Sequence, residues 1–285
     1  VIISRRALLA TAPCLAAWPA PAEQALPLLA DYERDTGGRI GLYARNLKSG
    51  RGVGWRAHER FVMCSTFKAS LAALVLTHVD SGRDNLDTPI RYGAADLLEY
   101  APISKASLSK GVLSVGEMCA GAVEYSDNTC ANLLLARVGG PAALTSFWRS
   151  IGDRVTRLDH NEPMLNRSPP GDPRDTTTPA AMANSLRRLI LGNVLSRASR
   201  ERLAVWMLAC KTGDNRLRAG LPKRWKVADR TGNNGADAAG DIAVVWPRPG
   251  EAVLVCVYTQ GGSPTSERLA SVFGDIGHLI GQRLG

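Results

Sequence analysis

Asp241-Ile-Ala-Val-Val-Trp246, Pro247-Arg-Pro-Gly250 and Ala252-Val-Leu-Val-Cys-Val-Tyr258 form the stretch that decides the fold. Two apolar runs joined by a Pro/Gly turn predict a pair of strands. Ser263-Pro264 then predicts a helix N-cap with proline at the first helical position. Beyond it Leu269, Val272, Phe273, Ile276, Leu279 and Ile280 recur at spacings of three and four, one apolar helix face. The other end of the chain mirrors this. Glu23 to Thr36 reads as a helix with Leu26, Leu29 and Tyr32 on one stripe, Gly37-Gly38 stops it, and Ile40 to Tyr43 begins a strand. The middle is nearly all helical pattern, over Ala69–Val79, Ser114–Gly121, Thr129–Val138, Pro141–Ser150, Pro179–Leu191 and Ser199–Leu208. Strands at both ends around a helical middle predict an α/β (α+β) fold of two lobes, with both termini in the sheet lobe.

Composition narrows the function classes. The 285 residues are 45% hydrophobic and 21% charged, which excludes a disordered, collagen-like or small disulfide-framework protein. Lys and Arg exceed Asp and Glu by 35 to 26, a net charge of +9. With aromatic residues at only 6%, the basic residues between Arg200 and Arg230 read as a solvated face and not as a nucleic-acid surface. Arg5-Arg6, a short apolar run to Trp18 and Ala20-Pro21-Ala22 together read as a twin-arginine export signal over residues 1–22. The apolar run is too short for a permanent membrane span, so a periplasmic protein free of the membrane after processing is expected. Of the six cysteines, at 14, 64, 119, 130, 210 and 256, five follow that segment. They form no C-x-x-C and the histidines no ligand spacing, so no metal is expected and most thiols read as buried small hydrophobes.

Three short motifs carry chemistry. Ser65-Thr-Phe-Lys68 puts a hydroxyl and an amine on one helix face at a helix start, where a lysine of lowered pKa can activate a serine. A chain of this length yields S-x-x-K by chance, and Ser107-Leu-Ser-Lys110 is such a copy, read as a solvated loop. Ser126-Asp127-Asn128 alone reads as a turn or an N-cap for the helix near Thr129. Arg230-Thr231-Gly232 follows the strand pattern of Trp225-Lys-Val-Ala and alone reads as a strand end, its glycine admitting a ligand close to the backbone.

In this order and at these intervals the three motifs resemble the serine penicillin-recognising enzymes. Glu162-Pro163-Met-Leu165-Asn166 narrows the resemblance to the class A β-lactamases, whose Ω-loop carries a Glu and an Asn at that spacing. Tyr100, Asn132, Gly139-Gly140-Pro141, Arg157-Leu158-Asp159 and Arg174-Asp175-Thr-Thr-Thr-Pro179 support it, and Arg230 in place of the usual Lys resembles the carbenicillin-hydrolysing branch. The resemblance implies a five-stranded antiparallel sheet flanked by terminal helices in an α/β lobe of residues 23–64 and 209–285. The helical lobe, 65–208, would include an Ω-loop at 157–175. It also implies hydrolysis of penicillins, carboxypenicillins included, through an ester on Ser65, by a monomer that needs no cofactor.

Site residues follow from the resemblance one by one. Lys68 directly, or Glu162 through a water, would be the base for attack, and Ser126 would pass a proton to the leaving nitrogen. Asn128 would bind the substrate's side-chain amide. Ser65 and Asn233 backbone N–H groups would form the oxyanion hole. Glu162 and Asn166 would hold the hydrolytic water. Tyr100, Thr231 and Gly232 would line the site, and Arg230 and Arg216 would receive carboxylate, Arg230 through a bidentate fork. Ala239 stands where many relatives carry another Arg.

Other departures alter what is expected. His160 replaces the Arg that usually pairs with Asp175, which implies a looser, pH-sensitive Ω-loop. Cys64 faces Asn234 and Cys119 faces Ala72 where some relatives have disulfide partners, so neither bridge is available and carbapenem hydrolysis gains no support. The rival readings are a D,D-peptidase or transpeptidase, a serine glutaminase, and a penicillin sensor or cell-wall binding module that acylates without turnover.

Overall fold

A computed structural model describes residues 26–167, 169 and 171–285; the export-signal reading of residues 1–22 and Cys14 fall outside them. The chain opens with α1 (Pro27–Thr36), which ends on Gly37 in the left-handed conformation at φ 70°. There follow β1 (Arg39–Asn46), β2 (Gly52–Trp55), β3 (Phe61–Val62), α2 (Phe67–Asp80), β4 (Pro89–Arg91), α3 (Pro102–Ala106) and β5 (Val112–Ser114). Helices α4 (Val115–Glu124), α5 (Asn128–Val138) and α6 (Gly140–Ser150) come next, then β6 (Thr176–Thr177), α7 (Pro179–Ile190), α8 (Arg197–Leu208) and α9 (Leu217–Gly220). The chain closes with β7 (Lys226–Asn233), β8 (Ala239–Arg248), β9 (Glu251–Gln260) and α10 (Ser266–Leu284).

The main sheet has five antiparallel strands in the order β2-β1-β9-β8-β7, so the first strand of the chain pairs with the last. Strand side chains alternate between faces, and here both faces are covered. Leu254, Cys256 and Tyr258 of β9 pack into one apolar cluster with α2 and α4 to α8. Val253, Val255 and Val257 of the same strand pack into a second cluster with α1, α9 and α10. That is why β8 and β9 read as continuous apolar runs instead of the half-polar alternation usual in antiparallel strands.

Local chemistry moves some boundaries from those expected. Thr265, not Ser263, caps α10: its hydroxyl accepts the Arg268 N–H at 3.1 Å, and Pro264 precedes the cap. Arg230-Thr-Gly232 lies inside β7, paired opposite Ile242, Asp241 and Gly240, instead of ending a strand. Two small ladders, β3 with β6 and β4 with β5, interrupt the helical middle; runs of two or three residues are too short to show a period. Among the described residues, no helix is long and apolar enough to cross a membrane.

Candidate active site

Ser65 lies in a tight turn (Cys64–Thr66) that runs straight into α2. Cys64 adopts a positive φ of 45°, a strained conformation for a residue with a side chain, immediately before the serine. The turn is pinned from the sheet, where Tyr258 Oη and Thr66 Oγ1 share a hydrogen bond of 3.0 Å. Helix α2 is buried on every side from Phe67 to Leu76, which forces Lys68 into the interior.

Lys68 is fully buried and holds the centre together. Its Nζ donates to Ser65 Oγ (2.8 Å), Ser126 O (3.0 Å) and Asn128 Oδ1 (2.5 Å), with Ser126 Oγ at 3.3 Å and Glu162 Oε1 at 3.1 Å. Burial lowers its pKa to about 8; the Glu162 carboxylate opposes that fall, and the Arg230 charge adds to it. Ser65 Oγ in turn donates to Glu162 Oε1 at 2.9 Å. The serine therefore stands between an ammonium that donates to it and a carboxylate that accepts from it.

Two asparagines hold the carboxylate. Asn132 accepts the Glu162 N–H at 3.0 Å and donates to its carbonyl at 2.9 Å, fixing the backbone from α5. Asn166 Nδ2 donates to Glu162 Oε2 at 2.7 Å, and its buried Oδ1 has no partner among the described residues.

The Ser126-Asp127-Asn128 triplet divides its labour. Asp127 caps α5 by accepting the Cys130 N–H, and also accepts from Ile103 N and Ser104 N, so the turn reading holds for that residue. Ser126 is held at φ 63° with its hydroxyl on the cavity wall. Its oxygen accepts from Arg230 Nη2 at 2.6 Å and from Lys68, which leaves its own proton free to point elsewhere.

Arg230 differs from expectation. It is fully buried behind the wall, with Nη2 on Ser126 and Nη1 donating to the Thr231 carbonyl at 2.5 Å, so its fork is not offered to a carboxylate. The half-buried Arg216 does reach the cavity; its guanidinium lies 4.9 Å from the centre of the Phe273 ring and has no hydrogen-bond or ion-pair partner among the described residues.

These groups surround a cavity of about 480 Å³, whose walls include Ser65, Tyr100, Ser126, Asn128, Glu162, Asn166, Arg216, Thr231, Gly232 and Asn233. Gly232 permits the closest approach: a Cβ there would lie 2.9 Å from Ser65 N and 2.8 Å from Met63 O. Its absence lets the end of β7, with Asn233, lie against the nucleophile turn. Sequence reasoning missed Thr212 and Glu99, both on the wall. Thr212 belongs to Lys211-Thr-Gly213, a second triplet of the third-motif type; Lys211 is exposed, while the Thr212 hydroxyl meets that of Thr231 at 2.5 Å. No group of three or more His, Cys, Asp or Glu side chains suited to a metal occurs among the described residues.

Comparison with known proteins points one way. The family described as "Beta-lactamase enzyme family" matches residues 22–284. Beta-lactamase L2 of Stenotrophomonas maltophilia is 47% identical over 282 residues, covering 98% of this chain and 93% of that protein. The carbapenem-hydrolyzing beta-lactamase KPC of Klebsiella oxytoca is 44% identical over 257 residues, 90% of this chain and 87% of that one. Among solved structures, the last common ancestor of Gram-negative bacteria class A beta-lactamase superposes with a TM-score of 0.86 at 52% identity, covering 89% of this chain and 97% of the other.

Proposed function

The chain belongs to the class A β-lactamases, and from that premise we propose that it opens the lactam of penicillins through an ester on Ser65. The observation that carries this reading is the placement of Ser65 Oγ between Lys68 Nζ at 2.8 Å and Glu162 Oε1 at 2.9 Å. Glu162, which already accepts the hydrogen bond of the Ser65 hydroxyl at 2.9 Å, takes the serine proton, while Lys68 donates to the same oxygen at 2.8 Å. The freed Oγ attacks the lactam carbonyl carbon, and the resulting oxyanion is received by the N–H groups of Ser65 and Asn233. Ser126 gives its proton to the departing ring nitrogen, its oxygen having two cationic donors to stabilise the charge that develops. Asn128, whose Oδ1 is taken by Lys68, turns its Nδ2 to the substrate's amide carbonyl. Lys68, in contact with both Glu162 Oε1 and Ser126 Oγ, passes the proton held on Glu162 to the Ser126 oxygen, so that both regain their starting states. Glu162 then accepts a proton from water attacking the ester and returns it to Ser65 Oγ as the ester bond breaks, and Asn166 Oδ1 is free to orient that water.

Arg216 supplies the cation for the substrate carboxylate. The finer reading, that Arg216 and Arg230 together favour penicillins with a second carboxylate, assigns Arg230 a long-range field and a hold on Ser126. Under it, Arg230→Lys changes the ratio of carbenicillin to benzylpenicillin turnover; an unchanged ratio removes it. The two proposed lobes both contribute, 65–208 with the nucleophile, bases and Ω-loop and 209–285 with Arg216 and Thr231 to Asn233. The protein is further proposed to work as a monomer, exported to the periplasm by the segment 1–22.

Nitrocefin and benzylpenicillin turnover by the purified chain tests the proposal. Ser65→Ala should abolish it, and Glu162→Ala, in which the Lys68 amine 2.8 Å from Ser65 Oγ can still take the serine proton but no carboxylate activates the water, should accumulate an adduct of enzyme plus intact penicillin by mass spectrometry. A Glu162→Ala protein that turns over normally would overturn the role given to that carboxylate; trapping of the parent enzyme by penicillin would favour the D,D-peptidase or sensor.

A further inference from the structure

Two buried acids that the reaction does not use lie beneath the cavity wall. Asp229 of β7 and Asp241 of β8 are both fully buried, and the register (Asp229 opposite Ala243, Asp241 opposite Thr231) makes them diagonal neighbours on one face of the sheet. Each leaves one carboxylate oxygen, Asp229 Oδ2 and Asp241 Oδ1, without a partner among the described residues. Burial raises the Asp241 pKa well above the usual range, with the neighbouring Asp229 adding to it. Aliphatic side chains would fill these positions without that cost.

The other two oxygens grip the segment that carries Arg216. Asp241 Oδ2 accepts the N–H of Leu217, the next residue, at 3.1 Å. Asp229 Oδ1 pairs with Arg218, whose Nη2 also donates to the carbonyls of Met207 (3.2 Å), Leu208 (3.1 Å) and Val227 (3.1 Å). The segment begins at Gly213, where a Cβ would stand only 1.9 Å from Asp229 Oδ2. On its far side α10 presses equally close, since a Cβ on Gly277 would lie 2.4 Å from the Leu217 carbonyl. Phe273, one turn earlier on α10, supplies the ring beneath the Arg216 guanidinium.

We propose that Asp241 and Asp229 are positioning residues for Arg216: they clamp the backbone on its C-terminal side between sheet and last helix, so that an otherwise unpaired guanidinium is held at the cavity wall to receive the substrate carboxylate. This rests on the role given to Arg216 above. Neither acid touches substrate, so loosening the clamp acts on binding and leaves the chemical steps at Ser65 in place.

Steady-state kinetics on benzylpenicillin separates the possibilities. Asp241→Ala removes the acceptor for Leu217 N–H, Arg218→Gln releases Asp229, and Asp241→Asn keeps an acceptor oxygen. The first two should raise KM about tenfold while kcat changes less than about threefold, and Asp241→Asn should restore most of the loss. In an Arg216→Ala background the same substitutions should add less than about twofold, because the group they position is gone. Arg218→Gln keeps the test open if Asp241→Ala does not fold. If Arg216→Ala raises KM but Asp241→Ala and Arg218→Gln do not, or if they raise it equally without Arg216, the clamp is refuted and Arg216 keeps its role. If Arg216→Ala itself leaves KM unchanged, the carboxylate reading of Arg216 falls and takes the clamp with it.

Discussion

Lys68 is the residue on which the charge balance of the site turns. Burial disfavours the charge on this amine, the Glu162 carboxylate 3.1 Å away and Asp127 favour it, and Arg230 pulls in the opposite direction. The sign follows from the roles proposed. If the ammonium must donate to Ser65 while Glu162 accepts, kcat/KM falls as pH rises through about 8. Arg230→Gln removes a positive neighbour, raises the Lys68 pKa and should move that falling limb to higher pH. A rate that instead climbs through the same range would make neutral Lys68 the base. Stability runs with its own sign: the folded pKa lies below the ordinary 10.5, so burying the charged amine weakens the fold at neutral pH. That weakening is relieved as pH rises from about 8 towards 10.5, provided other groups are held constant. Proximity of this kind was legible only in part. Ser65, Lys68, Ser126 and Glu162 stood in motifs, but that Arg230 turns inward to Ser126 depends on how deeply β7 is covered, which no spacing reports. The partnership of Thr212 with Thr231 joins a loop to strand β7 across 19 residues and had no local signal.

Among the elements, β7 and the Ω-loop position the chemistry. Strand β7 is the edge of the sheet, yet its far end abuts the nucleophile turn because Gly232 has no side chain. The Cβ of Gly232→Ala must push β7 away from Met63 O and Ser65 N, which separates the two N–H groups proposed for the oxyanion. Loss of one such donor costs about 100- to 1,000-fold in kcat, and that is the fall expected for Gly232→Ala in a protein that still folds. The Ω-loop neck is closed by Asp175, itself strained at φ 57° and nearly fully buried. Its carboxylate accepts the Asp159 N–H at 2.7 Å, the His160 N–H at 3.0 Å and His160 Nδ1 at 2.6 Å. The pairing inferred from Asp175 is therefore present, with imidazole in place of guanidinium. A single imidazole nitrogen makes this contact, where a guanidinium could bind the carboxylate through two donors. Pre-steady-state deacylation should slow in His160→Ala, which takes this partner from the buried Asp175 Oδ2, and be retained in His160→Arg. Equal rates in the parent and His160→Ala would show that this contact at the neck does not reach the ester.

At the scale of the whole molecule, one sheet serves two cores, and this explains both what could be read in advance and what could not. Runs such as Val253 to Tyr258 are apolar throughout because consecutive residues belong to opposite clusters, so the strands announced themselves by length and β-branching. The terminal helices showed clear apolar stripes, since each faces a core on one side only. Helix α2 had no such stripe to show, being covered all round, and the small ladders β3–β6 and β4–β5 are too short to show a period. The same double coverage sets the fate of the thiols. Cys64, Cys119, Cys130, Cys210 and Cys256 are all buried and unpaired, and burial raises the pKa of each. A thiol must be both exposed and ionised to react, and here it is neither. Native protein lacking residues 1–22 should therefore give almost no reaction with Ellman's reagent at about pH 8, with all five thiols appearing together in denaturant. A reducing agent should leave its melting temperature unchanged, because no bridge among these five contributes to stability. Early labelling of Cys64 alone would have a separate meaning: the nucleophile turn would be opening independently of the sheet that pins it, and the Ser65 geometry would then be one state among several.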